Sequence, residues 1–268
     1  MEVAGVFRSR AARRFIEARL ALGVVSFSLE DLIRETGLSP SAATQQLRRL
    51  GKWVVKVSRK HVFYLIVSPE FQAIGTPPVN WWLDDYFRWL GQPYYLALYS
   101  AAEAYGAEPQ ALQVTQIMTN ASKRDLILGR QRLRFFLKKD IHRTPTQQLS
   151  YAQAPLKAST PAATVLDLIR YASRIGGMNR AIETLLPLVP RIAAADLKQA
   201  LQAEDESALG QRLGYIFERF GHERLARVVE DWLPRHPLWT PLVPGRVERN
   251  ALPAVSRWHV LQNAEVHT

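Results

Sequence analysis

The chain has 268 residues, 47 % of them apolar, which suits one large or two ordinary globular domains with a sizeable core. It contains no cysteine, which rules out disulfides, thiolate metal sites and cysteine nucleophiles and suits a reducing, cytoplasmic setting. A net charge of +11 calls for a polyanionic partner, without separating DNA, RNA and an anionic membrane surface.

The first residues lack a continuous apolar run, so no secretory signal is expected. No stretch approaches the roughly 18 apolar residues of a membrane span, so no membrane partner is expected. The charge is uneven. Residues 1–75 hold 12 Lys+Arg against 6 Asp+Glu, and residues 123–143 hold 8 against 2.

Ala12, Phe15, Ile16 and Leu20 recur at helical spacing and predict a first helix over 10–22. A second helix opens at Ser28, where Asp31 three residues on approximates a capping box. Leu29, Leu32 and Ile33 face inward, and Gly37 suits the left-handed backbone of a helix end. Ser39 and Pro40 then start a third helix as N-cap and first helical residue. Ala43, Leu47 and Leu50 share one side of it. Ser41, Gln45 and Arg48 lie opposite, flanked by Thr44 and Arg49. Gln pairs with adenine edges, and Arg pairs with guanine or holds phosphate, so this face suits a major groove. Two β-branched, aromatic runs follow, 53–57 and 62–66, separated by Ser58, Arg59, Lys60 and His61. A hairpin with a basic tip directly after a recognition helix reads as a wing.

Residues 67–78, with three prolines and a glycine, read as a connector. Beyond it Trp82, Tyr86 and Trp89 form an aromatic stripe, better explained by packing than by docking of another protein. Residues 94–105 read as a helix, and 111–119 as a strand. Two more strands follow, 124–129 and 130–139. In the second, Arg130, Arg132 and Arg134 are expected on one face and Leu133, Phe135 and Leu137 on the other, giving a second candidate nucleic-acid patch. A short strand near 155–160 leads into a helix opened by Thr160 and Pro161. From 179 to 233 the pattern is three or four helices, broken at Pro187 and Pro190, around Asp205 and at Gly221. The last segment, 257–266, is expected to return to the sheet as a strand.

No dinucleotide, P-loop, zincin or nucleophile-elbow motif is present, and the histidines are scattered. No catalytic residue, metal site or cofactor is therefore expected. The acidic pairs at 84–85 and 204–206 read as solvated or capping groups. The expected fold is α+β. A winged helix-turn-helix domain, 1–75, precedes a larger α+β domain, 76–268, with a small, mostly antiparallel sheet and a helical cluster.

Three later segments add a resemblance. They are the Tyr94-Tyr95, Ser100-Ala101-Ala102, Tyr105-Gly106 pattern of 93–119, the Thr160-Pro161-Ala162-Ala163-Thr164-Val165-Leu166-Asp167-Leu168 run of 157–171, and the terminal 257–266. Their order behind a winged helix resembles the AbiEi-type antitoxins of type IV toxin–antitoxin, or abortive-infection, systems, over nearly the whole chain. The resemblance implies an autorepressor that binds inverted repeats in duplex DNA at its own promoter, as a homodimer. It also implies a C-terminal domain that neutralises a nucleotidyltransferase-like toxin without a stable complex. Ser100, Ala101 and Ala102 would then let helix and sheet approach closely. Two other readings stay open: a repressor whose C-terminal domain senses a small molecule, and a nucleic-acid-processing enzyme that uses the winged helix as a grip.

Overall fold

The computed structural model describes residues 10–107, 113–150, 155–245, 253–255 and 257–267. They divide into two compact units, each discontinuous in sequence. One holds residues 1–94, 113–139 and 148–157; the other holds 95–112, 140–147 and 158–268. Residues 76–94 and the basic strands go with the N-terminal elements in the first unit. The architecture is α+β.

The first unit opens with helix α1 (Ala11–Ala21), strand β1 (Ser26–Ser28), helices α2 (Leu29–Thr36) and α3 (Pro40–Leu50), and strands β2 (Val54–Lys56) and β3 (Phe63–Ile66). The strands form an antiparallel sheet of order β1-β3-β2, with Phe27 opposite Tyr64 and Val55 opposite Leu65. Local chemistry sets the helix ends. The Ser28 hydroxyl accepts from the Asp31 N–H, and the Asp31 carboxylate accepts from the Ser28 N–H, a complete capping box. Gly37 closes α2 at φ 65°, and the Ser39 hydroxyl caps α3 by accepting from the Ala42 N–H. The core joins Ala12, Phe15, Ile16, Phe27, Leu32, Ala43, Leu47 and Tyr64. Phe27 stacks on Tyr64 and meets Phe15 edge-on. Burying each large side chain contributes about 1.5–3 kcal/mol. Strand β1 was not anticipated. All three of its residues are buried, so the alternation that betrays a half-buried strand is missing.

The connector is held rather than loose. The Arg130 N–H donates to the Ile74 carbonyl at 2.9 Å, and the Gln131 amide donates to the Pro77 carbonyl at 3.0 Å. Gly75 and Gly129 meet there backbone to backbone: a Cβ on Gly129 would lie 3.0 Å from the Gly75 Cα and 2.0 Å from the Ile74 oxygen. Helix α4 (Leu83–Leu90) follows, with Trp82 and Tyr86 buried and Trp89 half-buried. The stripe is packing, as expected, and does not present a docking face.

Strand β4 (Tyr94–Leu96) and helix α5 (Leu98–Ala104) occupy the stretch read as one helix. Aromatic Tyr94 and Tyr95 favour the strand, and the helix begins only where the small residues do. Strands β5 (Val114–Thr119), β6 (Leu126–Leu128), β7 (Gln131–Leu137), β8 (Thr146–Leu149) and β9 (Leu156–Ser159) come next. The expected mostly antiparallel sheet is instead mixed. Strand β5 pairs with β7 in parallel, β6 with β7 antiparallel, and β4 with β9 in parallel, with Leu96 opposite Ala158. The single-face pattern of β7 also fails toward its end: Phe135 and Phe136, on opposite faces, are both buried, and Leu137 is 42 % exposed.

The second unit is mainly helical. Helix α6 (Pro161–Arg170), capped by Thr160, buries every residue from Ala162 to Ile169, and α5, whose Ala101 and Ala102 are fully buried, packs on it. Helices α7 (Met178–Leu185), α8 (Ala194–Glu204), α9 (Ser207–Arg219) and α10 (Glu223–Trp232) match the expected count. Asp205 and Gly221 break them at positive φ. Gly214 on α9 lies flat under Trp258; a Cβ there would come within 2.1 Å of the indole. The tail does not return to the earlier strands. Its strand β12 (Val260–Leu261) makes a separate sheet with β10 (Thr240–Pro241) and β11 (Ala254–Val255). Two-residue strands cannot be told from loop by periodicity, hence the error.

Gly129→Ala combines a positive φ with a backbone clash, whereas Gly23 has φ 72° and nothing within 4 Å of its would-be Cβ. Gly23→Ala is expected to cost about 1 kcal/mol from backbone strain alone, and Gly129→Ala about 3 kcal/mol or more. Urea unfolding of both variants measures the difference; equal costs would contradict the close approach.

Candidate nucleic-acid interface

Helix α3 is anchored by Ala43 and Leu47, which are buried in the core, so its other face must point outward. Ser41, Gln45, Arg48 and Arg49 are exposed there. Thr44 is only half-exposed, and its hydroxyl donates to the Pro40 carbonyl at 2.9 Å, so it contributes an acceptor and no free donor. The side chain of Gln46, which the periodicity did not single out, accepts from the Ala12 N–H at 3.0 Å and ties α3 to the start of α1. Arg48 lies close enough to Tyr64 to act on its hydroxyl electrostatically, and Tyr64 is the register partner of Lys56. The arginine end of α3 therefore adjoins the tip-side end of the β2–β3 ladder.

At the hairpin tip Arg59 and Lys60 are exposed, while the Lys56 ammonium donates to the Arg59 carbonyl at 3.2 Å. None of Arg48, Arg49, Arg59 and Lys60 has a carboxylate partner among the described residues, so their charge is available to an anion. His61 is not exposed like Arg59 and Lys60 beside it. It is half-buried, its Nδ1 lies 2.7 Å from the Tyr86 hydroxyl, and its ring meets Trp89 at 5.7 Å. Burial first, then the charges of Lys123, Lys60 and Lys56, push its pKa below the ordinary value.

Lys123 comes from the loop between β5 and β6, over the ring of Phe87 at 5.7 Å, and its effect on His61 brings that basic segment beside the hairpin. The second patch is smaller than expected. Arg132 and Arg134 are exposed on β7, but Arg130 sits in the preceding turn, and Arg134 pairs with Asp125 at 3.2 Å. The acidic pair on α4 is structural: Asp84 accepts from the Tyr94 hydroxyl at 2.8 Å, and Asp85 accepts from the Ser26 hydroxyl at 2.7 Å.

The second unit shows polar groups turned on one another. The Tyr95 hydroxyl donates to the buried Asp167 at 2.9 Å, and burial holds that phenol far above its usual pKa. Arg170 bridges Glu204 and Glu206 at 2.7 Å each, so the acidic cluster at 204–206 serves an ion pair. Arg257 gathers Glu218, Glu223 and Glu230, and these hydrogen bonds raise its pKa. Among the described residues no group of three or more His, Cys, Asp or Glu is placed to hold a metal. No helix of theirs is long and apolar enough to cross a membrane.

Residues 95–219 match the family model of the AbiEi antitoxin C-terminal domain. The chain carries an AbiEi antitoxin domain. The match begins at Tyr95, the first residue of the second unit, and covers the 157–171 segment and residues 95–119 of the 93–119 segment; the terminal 257–266 lies outside it. Among solved structures, the chain is similar to the RV2827C protein from Mycobacterium tuberculosis, at 17 % identity and a TM-score of 0.65, over 94 % of this chain and 91 % of that one. This likeness is one of fold. An antigenic nucleotidyltransferase-like protein from Paracoccidioides brasiliensis matches at 10 % identity over 57 % of this chain and 90 % of that one, with a TM-score of 0.38, too low to build on. No curated protein matches in sequence.

The depressed pKa of His61 makes a signed prediction. The folded state holds fewer protons than the unfolded chain in the window just below the ordinary value of 6.5. The stability this contributes is present above pH 6.5 and is lost as pH falls through the lowered folded value. Thermal melts at pH 8 and pH 5 are expected to show a larger acid loss in the wild type than in His61→Gln. Equal losses would mean that His61 titrates as if unfolded.

Proposed function

We propose that this protein is a type IV antitoxin that represses its own operon: residues 10–67 form a winged helix-turn-helix that reads duplex DNA, and the AbiEi domain counteracts a nucleotidyltransferase-like toxin. The observation that carries the DNA reading is the run of cations without carboxylate partners from the exposed face of α3 to the hairpin tip, Arg48, Arg49, Arg59 and Lys60. The element order and the β1-β3-β2 sheet support the winged-helix assignment. Gln45 and Arg48 read base edges, with Ser41 and Thr44 as short polar neighbours; Arg49, Arg59 and Lys60 hold phosphate. Lys123 and Arg132 extend the phosphate track, and two copies bind an inverted repeat. The AbiEi domain acts as a regulator and not as an enzyme, and the pair of proteins works in the cytoplasm without a stable complex.

Arg48→Ala is expected to cost about 1–3 kcal/mol at the operator and to relax base preference. Arg59→Ala with Lys60→Ala is expected to weaken binding on all sequences and to lower the salt slope by about 0.9 for each lost phosphate contact. Gel-shift titrations at two salt concentrations measure both. Equal affinity of the wild type for promoter and scrambled DNA would sink the DNA reading. Co-expression with the toxin checks the other half: a DNA-binding-deficient variant is expected to keep rescuing growth, and loss of rescue would reduce neutralisation to repression.

A further inference from the structure

We propose that Tyr86 is the positioning residue of the hairpin tip: its hydroxyl holds the proton of His61 on Nε2, so that the imidazole presents a fixed N–H donor to a DNA phosphate between Lys60 and Lys123. The inference rests on the DNA-binding reading of the hairpin and adds the role of a residue outside it.

The hydrogen-bond inventory of one buried hydroxyl supplies the argument. Tyr86 is 1 % exposed, and burial pushes its phenol up to about 12, so it keeps its proton at any working pH. That proton needs an acceptor, and water does not reach it. Among the described residues its one partner is His61 Nδ1, at 2.7 Å. Were Nδ1 the donor, the Tyr86 proton would be left buried and unpaired, which a folded protein avoids. The arrangement that satisfies both groups has Tyr86 donating to Nδ1. A neutral imidazole then carries its proton on Nε2. Nε2 has no protein partner among the described residues, and His61 is only half-buried. The ring is fixed as well as tautomerised. Trp89 meets it at 5.7 Å, and Tyr86 and Trp89 also clasp Phe63 at 5.4 and 5.5 Å. The His61 N–H donates to the Ser58 hydroxyl at 3.1 Å, which shapes the turn. Lys56 and Lys60 on the hairpin and Lys123 on the neighbouring loop surround the ring, and no carboxylate is among the groups acting on it. Such a site attracts an anion, and a neutral N–H between ammonium groups fits one that is already charge-compensated, such as a backbone phosphate.

Tyr86→Phe keeps the ring and removes the proton donor. In the full-length protein, ¹⁵N NMR of the imidazole is expected to show the Nε2–H tautomer in the wild type and a mixture in Tyr86→Phe. A wild type in the Nδ1–H form overturns the proposal without reference to DNA. Binding is read on duplex promoter DNA from immediately upstream of this reading frame. His61→Ala is expected to weaken it about tenfold, Tyr86→Phe by less, and the double variant no more than His61→Ala, because Tyr86 acts through His61. Additive losses make Tyr86 a packing residue only and overturn the proposal. If Arg48→Ala impairs binding while His61→Ala does not, the inference fails and the DNA reading stands. If the wild type does not prefer promoter DNA, both fail.

Discussion

A continuous cluster of buried aromatic rings organises the first unit. Tyr86 and Trp89 on α4 clasp Phe63 of β3; Phe87, on the same helix, stacks on Tyr94 at 4.5 Å and approaches Phe135 of β7 at 6.3 Å. One eight-residue helix thereby holds the hairpin strand, the first residue of β4 and the basic strand together. An isolated helix of that length is unstable in water, so α4 exists because its apolar face is buried on three partners at once. Remove it, and the hairpin loses the surface that fixes its angle.

This packing decides which later segments accompany the N-terminal helices and hairpin. A connector rich in proline and glycine suggests a hinge. Here Gly75 and Gly129 let two backbones touch, and the hydrogen bonds from Arg130 and Gln131 close the contact. The glycines serve close approach rather than freedom. Residues 76–94 and 113–139 consequently pack with the helices and hairpin that precede them.

Charge is organised differently in the two units. In the second, two cations are neutralised locally: Arg170 by Glu204 and Glu206, and Arg257 by Glu218, Glu223 and Glu230. Pairing of these arginines with glutamates leaves little positive field around them. In the first unit Arg48, Arg49, Arg59 and Lys60 keep theirs. The uneven charge along the sequence located the basic segments but not which cations would stay unpaired, because it counts side chains and not their neighbours.

Features governed by near neighbours in sequence were legible in advance. The capping box at Ser28 and Asp31, the glycine end at Gly37, the Ser39 and Thr160 caps and the breaks at Asp205 and Gly221 all depend on a few adjacent residues. So did the outward face of α3, because a 3.6-residue period leaves only one side for Ala43 and Leu47 to bury. The segments that resemble AbiEi antitoxins were likewise readable in order. What depends on distant partners was not. Strand β1 is buried on both faces and carries no alternation, and the parallel pairing of β5 with β7 joins strands separated by β6. The setting of His61 is decided 25 residues away, by a tyrosine whose own sequence signal says only that it is buried. Sequence by itself determined the helices, their caps and the face they expose, since those are set by local backbone and side-chain chemistry. Tertiary structure alone decided which cations stay unpaired and which proton His61 carries, since both depend on groups that meet only when the chain has folded.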